Sequence, residues 1–158
     1  MRKIASLLLL LVAFTSCTED IQRNNPALQG IKDNVLWRSA GTSAVVTHNG
    51  HIIITGSRQL ETLILKTNSM SEATYTLGTT QQKNATFIRT NGVEETVYMT
   101  GDEGLGDGEI VIEEYDTENM TVTGTFRFNA VNHDGDANDV VNFTSGIFYK
   151  IPVVPQEQ

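Results

Sequence analysis

Residues 121–131 alternate between apolar and polar side chains, and this repeat of two constrains the fold more than any other feature. The apolar side carries Val122, Phe126, Phe128 and Ala130. Side chains of a β-strand point alternately to the two faces of the sheet, so the repeat predicts a strand that is buried on one face. Gly124 falls on the apolar side, where it predicts a β-bulge or the close approach of another chain segment.

Other runs rich in β-forming residues are separated by turn residues, and no convincing helical period occurs after residue 34. They cover residues 35–37, 45–48, 51–55, 60–67, 73–77, 85–90, 96–100, 109–115 and 140–153. Together these runs predict about ten strands. Pro152 and Pro155 are expected to end the last of them, because proline cannot donate to the ladder. The predicted fold is all-β, an antiparallel meander that forms a β-sandwich or a flattened barrel.

Three short turns predict hairpins between neighbouring strands. Asn49-Gly50 lies between two β runs, which is a strong signal for a tight turn in which both residues take positive φ. Asn91-Gly92 predicts a second turn, and the polar stretch 116–119 predicts a third.

The N-terminus predicts a secretory signal of the lipoprotein type. A basic start is followed by an apolar run over residues 4–14 and by Thr15-Ser16, directly before the only cysteine, Cys17. This pattern is typical of a signal peptide, and the run is shorter than the ~20 residues that span a bilayer. We expect residues 1–16 to be removed and Cys17 to carry acyl chains such as palmitate. The alternative is an ordinary secretory signal that is cut nearby.

The rest of the chain is expected to consist of a tether and one domain. Residues 17–33 are polar and contain asparagine, proline and glycine, so they predict a lipidated cysteine followed by a flexible tether. Residues 34–158 have the length of a single all-β domain that folds without a disulfide or a metal. The expected location is the cell envelope, as an outer-membrane lipoprotein on its periplasmic or its surface face.

The charge of the chain limits its partners. The formal net charge is −8 and becomes more negative when Arg2 and Lys3 leave with the signal peptide. An acidic surface repels nucleic acid and anionic headgroups. We therefore expect no nucleic-acid partner, and membrane attachment through the N-terminal lipid.

Four segments follow one another in a recognisable order behind the signal. They read ATYTLG at 73–78, GEIVI at 108–112, VTGTFRFNA at 122–130 and TSGIFYKIP at 144–152. In this order they resemble the GTYxLG, GxITI, VSGTFxFxA and TxGxFxxIP elements of an uncharacterised family of β-rich bacteroidete lipoproteins. Ala73 stands where that family usually has glycine. The resemblance implies a lipoprotein of unknown function and no catalytic residues. The acidic Glu19 and Asp20 after the cysteine resemble a signal for surface export in such lipoproteins, and a solvated linker is the other interpretation.

The stretch 133–139 is the best candidate for a metal site. Asp134, Asp136 and Asn138 alternate as the first oxygen ligands of a calcium loop do, with Asp139 beside them. Asp139 occupies the position where calcium loops have glycine, and no glutamate closes the loop. The competing interpretation is a solvated hairpin loop. We expect no cofactor, with a structural calcium ion in this stretch as the alternative.

Three further features have simpler explanations. The acidic, glycine-rich stretch 101–108 predicts a flexible connection, with a cation site shared with 133–139 as the alternative. His48 and His51 are expected to face each other across a hairpin, without a third zinc ligand nearby. Trp37 is expected in the core, with sugar stacking as the alternative.

No residue set indicates a reaction. Serines are scattered in turns, and Glu113 and Glu114 are neighbours on a strand, so they point to opposite faces. We therefore expect a non-enzymatic, lipid-anchored envelope domain that binds or scaffolds, with an envelope protein or a glycan as partner. The alternatives are a barrel-type carrier of a small apolar ligand and a calcium-dependent glycan or adhesion module.

Overall fold

A computed structural model describes residues 27–101, 105–135 and 138–157. The strands are β1 Ala27–Lys32, β2 Val35–Arg38, β3 Gly41–Val46, β4 Ile52–Arg58, β5 Glu61–Lys66, β6 Ala73–Leu77, β7 Asn84–Thr90, β8 Glu95–Met99, β9 Asp107–Asp116, β10 Thr121–Asn132 and β11 Val140–Pro155. The predicted all-β class is confirmed. Within the three described ranges, no helix is long and apolar enough to cross a membrane. The predicted signal peptide and Cys17 lie outside these ranges.

All these strands belong to one sheet that closes on itself. Their order is β2-β1-β11-β3-β4-β5-β7-β8-β10-β9-β6, and β10 also pairs with β11. Seven strands from β11 through β3 to β10 therefore form a ring, as in a flattened barrel. One layer contains β2-β1-β11-β10-β9-β6 and the facing layer contains β3-β4-β5-β7-β8. The sheet is mixed, because β11 runs parallel to β3 over the pairs from Val153 with Ala44 to Pro155 with Val46. The predicted closure as a sandwich or a flattened barrel is confirmed, and the parallel β11–β3 pairing departs from the purely antiparallel meander that was predicted.

Five aromatic rings fill the space between the layers. The ring of Phe143 lies 5.8 Å from Trp37, 5.6 Å from Phe87, 6.0 Å from Phe126 and 5.0 Å from Phe128, measured between centroids. These residues come from β11, β2, β7 and β10, so the cluster joins both layers. Trp37 is 1% exposed, which confirms its expected place in the core.

Strand β11 bends twice and pairs with three strands, β1, β10 and β3. Its register against β10 shifts near Ser145 and again near Lys150, and both residues have positive φ (49° and 48°). Bulges of this kind bend a strand and increase its twist. Pro152 was expected to end the strand but lies inside it, opposite Thr121. It is tolerated because the bulge already interrupts the ladder, and the next residue, Val153, donates its N–H to the carbonyl oxygen of Met120 at 2.8 Å.

The sheet begins earlier than the sequence indicated. Residues 27–32 were expected within the tether, but they form β1 between β2 and β11. Leu28 is fully buried. Gly30, which suggested a linker, allows close packing, because a Cβ there would lie 3.2 Å from Gly146 Cα and 3.3 Å from the Phe143 ring.

The predicted hairpins form, with one difference in turn geometry. β3 and β4 are joined around Asn49-Gly50, but only the glycine has positive φ (75°), so the expected two-residue turn is wrong. The loop is longer because Val46 and Ile52 form the last strand pair. The turn in which both residues have positive φ joins β1 and β2 at Asp33 and Asn34 (49° and 68°).

Gly124 confirms the expected bulge and close approach. The registers of β10 with β9 and with β11 both shift at this residue. A Cβ on Gly124 would collide with the carbonyl oxygen of Val111 and with the ring of Phe148.

We predict that Gly124→Ala lowers the free energy of unfolding by about 2–3 kcal/mol, because the clash includes backbone that cannot move aside. The measurement is urea unfolding of residues 17–158 carrying Cys17→Ser. Gly41→Ala is the matched control, since its Cβ would meet only Ser57 Oγ at 3.7 Å. A change there within about 0.5 kcal/mol is expected. Equal effects of the two substitutions would contradict the packing role of Gly124.

Candidate functional site

One end of the flattened barrel opens into a groove of about 640 Å³. The β1–β2 hairpin forms one wall and the turn between β4 and β5 forms the other, with Arg89 of β7 beside them. The mouth of a β-barrel is a common place for a ligand site. Because Lys32 is the last residue of β1, the groove lies at the end of the barrel opposite to Ala27.

A row of charged residues crosses the inner side of this mouth. Glu61 on β5 is paired with Arg58 on β4 and with Arg89 on β7. Directly paired residues share a face of the sheet. Glu61 lies two residues before buried Leu63, and Arg89 lies two residues after buried Phe87. The row therefore stands on the inward face, one step beyond the aromatic core.

Glu61 connects the two layers. Its Oε2 accepts a hydrogen bond from Trp37 Nε1 at 2.7 Å, and its Oε1 forms an ion pair with Lys32 Nζ. The same ammonium lies 4.7 Å from the centroid of the Phe87 ring. Only 19% of the Lys32 side chain and 22% of the Glu61 side chain are exposed. The pair is thus largely shielded from water, and both oxygens of Glu61 are already bound.

The two arginines of the row bond only to neutral oxygens. Arg58 Nη1 donates to the carbonyl oxygen of Leu36 at 3.3 Å, and Arg89 Nη2 donates to the hydroxyl of Tyr98 at 2.8 Å. Neither guanidinium forms an ion pair with a carboxylate in the described part of the chain. Asp33, the second carboxylate of the groove, accepts the backbone N–H of Asn142 at 2.9 Å. The groove therefore holds two carboxylates that accept hydrogen bonds and two guanidinium groups that form no direct ion pair with the described residues.

Aliphatic side chains stand beside these charges. Val35, Leu36 and Leu60 are 64%, 60% and 57% exposed. Single exposed aliphatic residues are common on protein surfaces, whereas grouped ones mark interaction sites. These three line the same groove as Arg58 and Arg89.

Tyr98 connects the mouth to the stretch 133–139. Its hydroxyl lies 3.3 and 3.2 Å from the two carboxylate oxygens of Asp139. Asn132 Nδ2 donates to the same carboxylate at 2.8 Å. Burial raises the pKa of the Tyr98 hydroxyl above its usual value. The positive charge of Arg89 lowers this pKa, and the hydrogen bond to Asp139 raises it further. The phenol therefore stays protonated well into the alkaline range and holds Arg89 and Asp139 at the rim.

The predicted calcium residues are only partly described. Asp134 is exposed and its backbone N–H donates to Asn132 Oδ1 at 3.2 Å, while Asp139 is held by Tyr98 and Asn132. Asn138 is exposed, and Asp136 lies outside the described residues. Among the described residues, no three His, Cys, Asp or Glu side chains form a group that could hold a metal. Calcium binding stays a prediction.

The two acidic stretches lie at the same end of their strands. Asp107 at the start of β9 pairs with Asn129 near the end of β10, and Val140 at the start of β11 pairs with Val131. Residues 102–104 lie outside the described ranges. A shared cation site therefore stays a prediction.

His48 and His51 do not face each other. Thr47 lies opposite His51, since the Thr47 N–H donates to the His51 carbonyl at 2.9 Å and the His51 N–H donates to Thr47 Oγ1 at 3.1 Å. His48 lies in the turn. The expected facing pair is wrong because the loop is longer than a two-residue turn.

Sequence reasoning missed the groove altogether. One signal was present: Arg89 and Glu61 occupy inward positions of their strands, where the alternation calls for apolar residues. A charge on the apolar side of a strand indicates a rim or a buried pair. Lys32 could not be found in this way, because its segment was read as tether.

We predict that Glu61→Ala lowers the free energy of unfolding by about 2 kcal/mol, because it leaves the Trp37 N–H and the Lys32 ammonium without their acceptor. Fluorescence of Trp37, the only tryptophan, follows the unfolding. Glu61→Gln, which keeps an acceptor for the indole, is expected to lose less.

The matched control is Glu109→Ala, which breaks the ion pair with Arg127 on the outer surface. Arg127 is 65% exposed, so a loss below about 1 kcal/mol is expected. If both alanine variants lost the same stability, the connecting role of Glu61 would be refuted.

A protein family described as Domain of unknown function (DUF6252) matches residues 24–152. The match begins just before β1 and ends within β11, so it includes the groove. No curated protein and no solved structure matches the chain. The expectation of an uncharacterised family is confirmed, while lipidation and a bacteroidete origin stay predictions.

Proposed function

The chain belongs to the DUF6252 family, and we propose that it is a non-catalytic binding domain held in the cell envelope by a lipid on Cys17. The groove at the mouth of the barrel supports the binding role. Its volume of about 640 Å³ falls within the range of about 300–1,000 Å³ that is usual for ligand sites. The order of basic, apolar and small residues before Cys17 supports the anchor.

The chemistry of the groove suits binding better than catalysis. Glu61 and Lys32 neutralise each other, and both Glu61 oxygens are bound. A general base needs an oxygen or a nitrogen that is free to reach the substrate. Of the other charged groups, Asp33 accepts the backbone N–H of Asn142 through Oδ1, and Arg58 and Arg89 can hold a ligand but do not exchange protons at neutral pH.

The alternative of an apolar carrier receives less support. Such a carrier holds its ligand inside the barrel, where the rings around Phe143 lie. A calcium-dependent adhesion module is favoured less as well, because Asp139 already accepts hydrogen bonds from Tyr98 and Asn132. A ligand at the mouth needs no rearrangement of the core.

The direction of β1 supports a groove that faces away from the membrane. The segment that leads back to Cys17 joins the sheet at Ala27, and the groove begins at Lys32. Five residue steps of about 3.3 Å separate these points by about 17 Å along the strand. A lipid at Cys17 leaves the opposite end of the barrel accessible to partners.

We predict that the full chain incorporates a palmitate analogue when it is expressed in a bacterium with an outer membrane, and that it sediments with membranes. Cys17→Ser is expected to lose the label and to appear in the soluble fraction, because the thiol is the acceptor of the lipid. Ser16→Ala, which keeps a small residue before Cys17, serves as the control. An unlabelled wild-type chain in the soluble fraction would refute the anchor.

For the groove, we predict that residues 17–158 carrying Cys17→Ser bind the neutral fluorophore phenylnaphthylamine, with energy transfer from Trp37. Leu60→Ser is expected to weaken binding about tenfold, since it removes an apolar wall. Val93→Ser is the matched control, because Val93 is 93% exposed in the β7–β8 turn and does not line the groove. Absence of binding, or equal effects of the two variants, would refute the binding role.

A further inference from the structure

We infer that the groove selects anionic amphiphiles, which are small molecules that join a carboxylate, phosphate or sulfonate group to an apolar body. This inference rests on the proposed binding function and names its ligand class. Two observations support it: the hydrogen bonds and ion pairs of the charged residues in the groove, and the exposed aliphatic residues beside them.

The positive charges of the groove exceed what its carboxylates can neutralise. Lys32 is paired with Glu61, and Asp33 is bonded to the backbone of Asn142. Among the described residues, Arg58 donates to a carbonyl oxygen and Arg89 donates to a phenol oxygen. A guanidinium group binds an anion more strongly than a neutral oxygen, and its planar fork matches carboxylate and phosphate groups.

This charge is local, because the chain as a whole carries −8. An acidic protein repels anions at long range, so an anion is held only where cations converge at short range. The row on β4, β5 and β7 brings Arg58 and Arg89 to the same inward face on either side of Glu61. Arg89 is held by a hydrogen bond of 2.8 Å to Tyr98. Arg58 reaches across the mouth and makes a longer hydrogen bond, 3.3 Å, to the β2 backbone, so its side chain is the easier one to move towards a ligand.

The apolar body of the ligand has a place beside the anion. Val35 and Leu36 line one wall and Leu60 lines the other, each more than half exposed. An ordinary inorganic anion would leave these side chains in water. A ligand with an aliphatic or aromatic part would cover them while its anionic group contacts Arg58.

An extended peptide that adds to the edge of β2 fits less well. β2 has four residues, and the guanidinium of Arg58 bonds to the carbonyl of Leu36 on this strand. Short edge strands and charged side chains are devices that prevent strand addition. A small ligand needs only that Arg58 exchange a neutral oxygen for an anion.

The test compares two fluorophores that differ by one group: phenylnaphthylamine, and anilinonaphthalene sulfonate, which adds a sulfonate to the same rings. Residues 17–158 carrying Cys17→Ser are expected to bind the sulfonate about tenfold more tightly. Arg58→Met is expected to weaken binding of the sulfonate more than binding of phenylnaphthylamine, so that the ratio of the two affinities approaches one. Lys66→Met, at the end of β5 away from the groove, is the matched control and should change neither affinity.

Displacement of the sulfonate probe by other compounds shows whether the groove binds a small amphiphile, a lipid surface or a peptide. Dodecanoate and dodecyl phosphate, both below micelle formation, should displace the sulfonate probe, and dodecanol should do so about tenfold less well. Displacement only by phosphatidylglycerol vesicles, or only by an acidic extended peptide, would overturn the inference in favour of a macromolecular partner.

The two proposals fail in different ways. If neither fluorophore bound, the groove would not be a ligand site, and the proposed function would fail. If both bound equally, or if Arg58→Met left the preference intact, binding would stand and the selection of anions would be refuted.

Discussion

The packing of Phe143 against four other rings is the contact on which the rest of the structure depends. It joins β11 to β2, β7 and β10, so it holds the two layers at one separation. Interiors are packed as closely as organic crystals, and large rings leave little room between them. The rings therefore fill the space between the layers, and the groove lies at the open end of the barrel. The groove begins where the ring cluster stops.

The charges at the mouth follow from the same geometry. β4, β5 and β7 extend beyond the aromatic core. Their next inward-facing residues lie at the mouth of the barrel, between water and the aromatic rings. Lys32 uses both surroundings, since its ammonium faces Glu61 and the ring of Phe87. Glu61 in turn accepts a hydrogen bond from the indole N–H of Trp37, because a buried tryptophan needs an acceptor for this group. One carboxylate thus binds polar groups of both layers, and the arginines beside it form no ion pair within the part of the chain that the structure describes.

Local patterns predicted the strands, and distant pairings escaped them. The alternation around Phe126 and the turns at Gly50 and Gly92 lie within a few residues, so β10 and the hairpins could be identified. The pairing of β1 with β11 joins opposite ends of the chain, and nothing near Gly30 distinguishes a tight packing site from a linker. The groove combines Lys32, Glu61 and Arg89 from separate strands, so it becomes visible only when the ring is assembled. The stretch 133–139 is recognisable in the sequence because all its candidate ligands lie within a few residues of one another.

The closing of the ring by the last strand has a consequence for biosynthesis. β11 supplies the partner of β1, the long neighbour of β10 and, through Val153–Pro155, the parallel partner of β3. None of these three pairings can form before β11, the last described strand in chain order, has been synthesised. Contacts between distant segments form slowly, because the loop between them must first be closed. The ring therefore stays open until β11 is present, and its closure is expected to come late in folding.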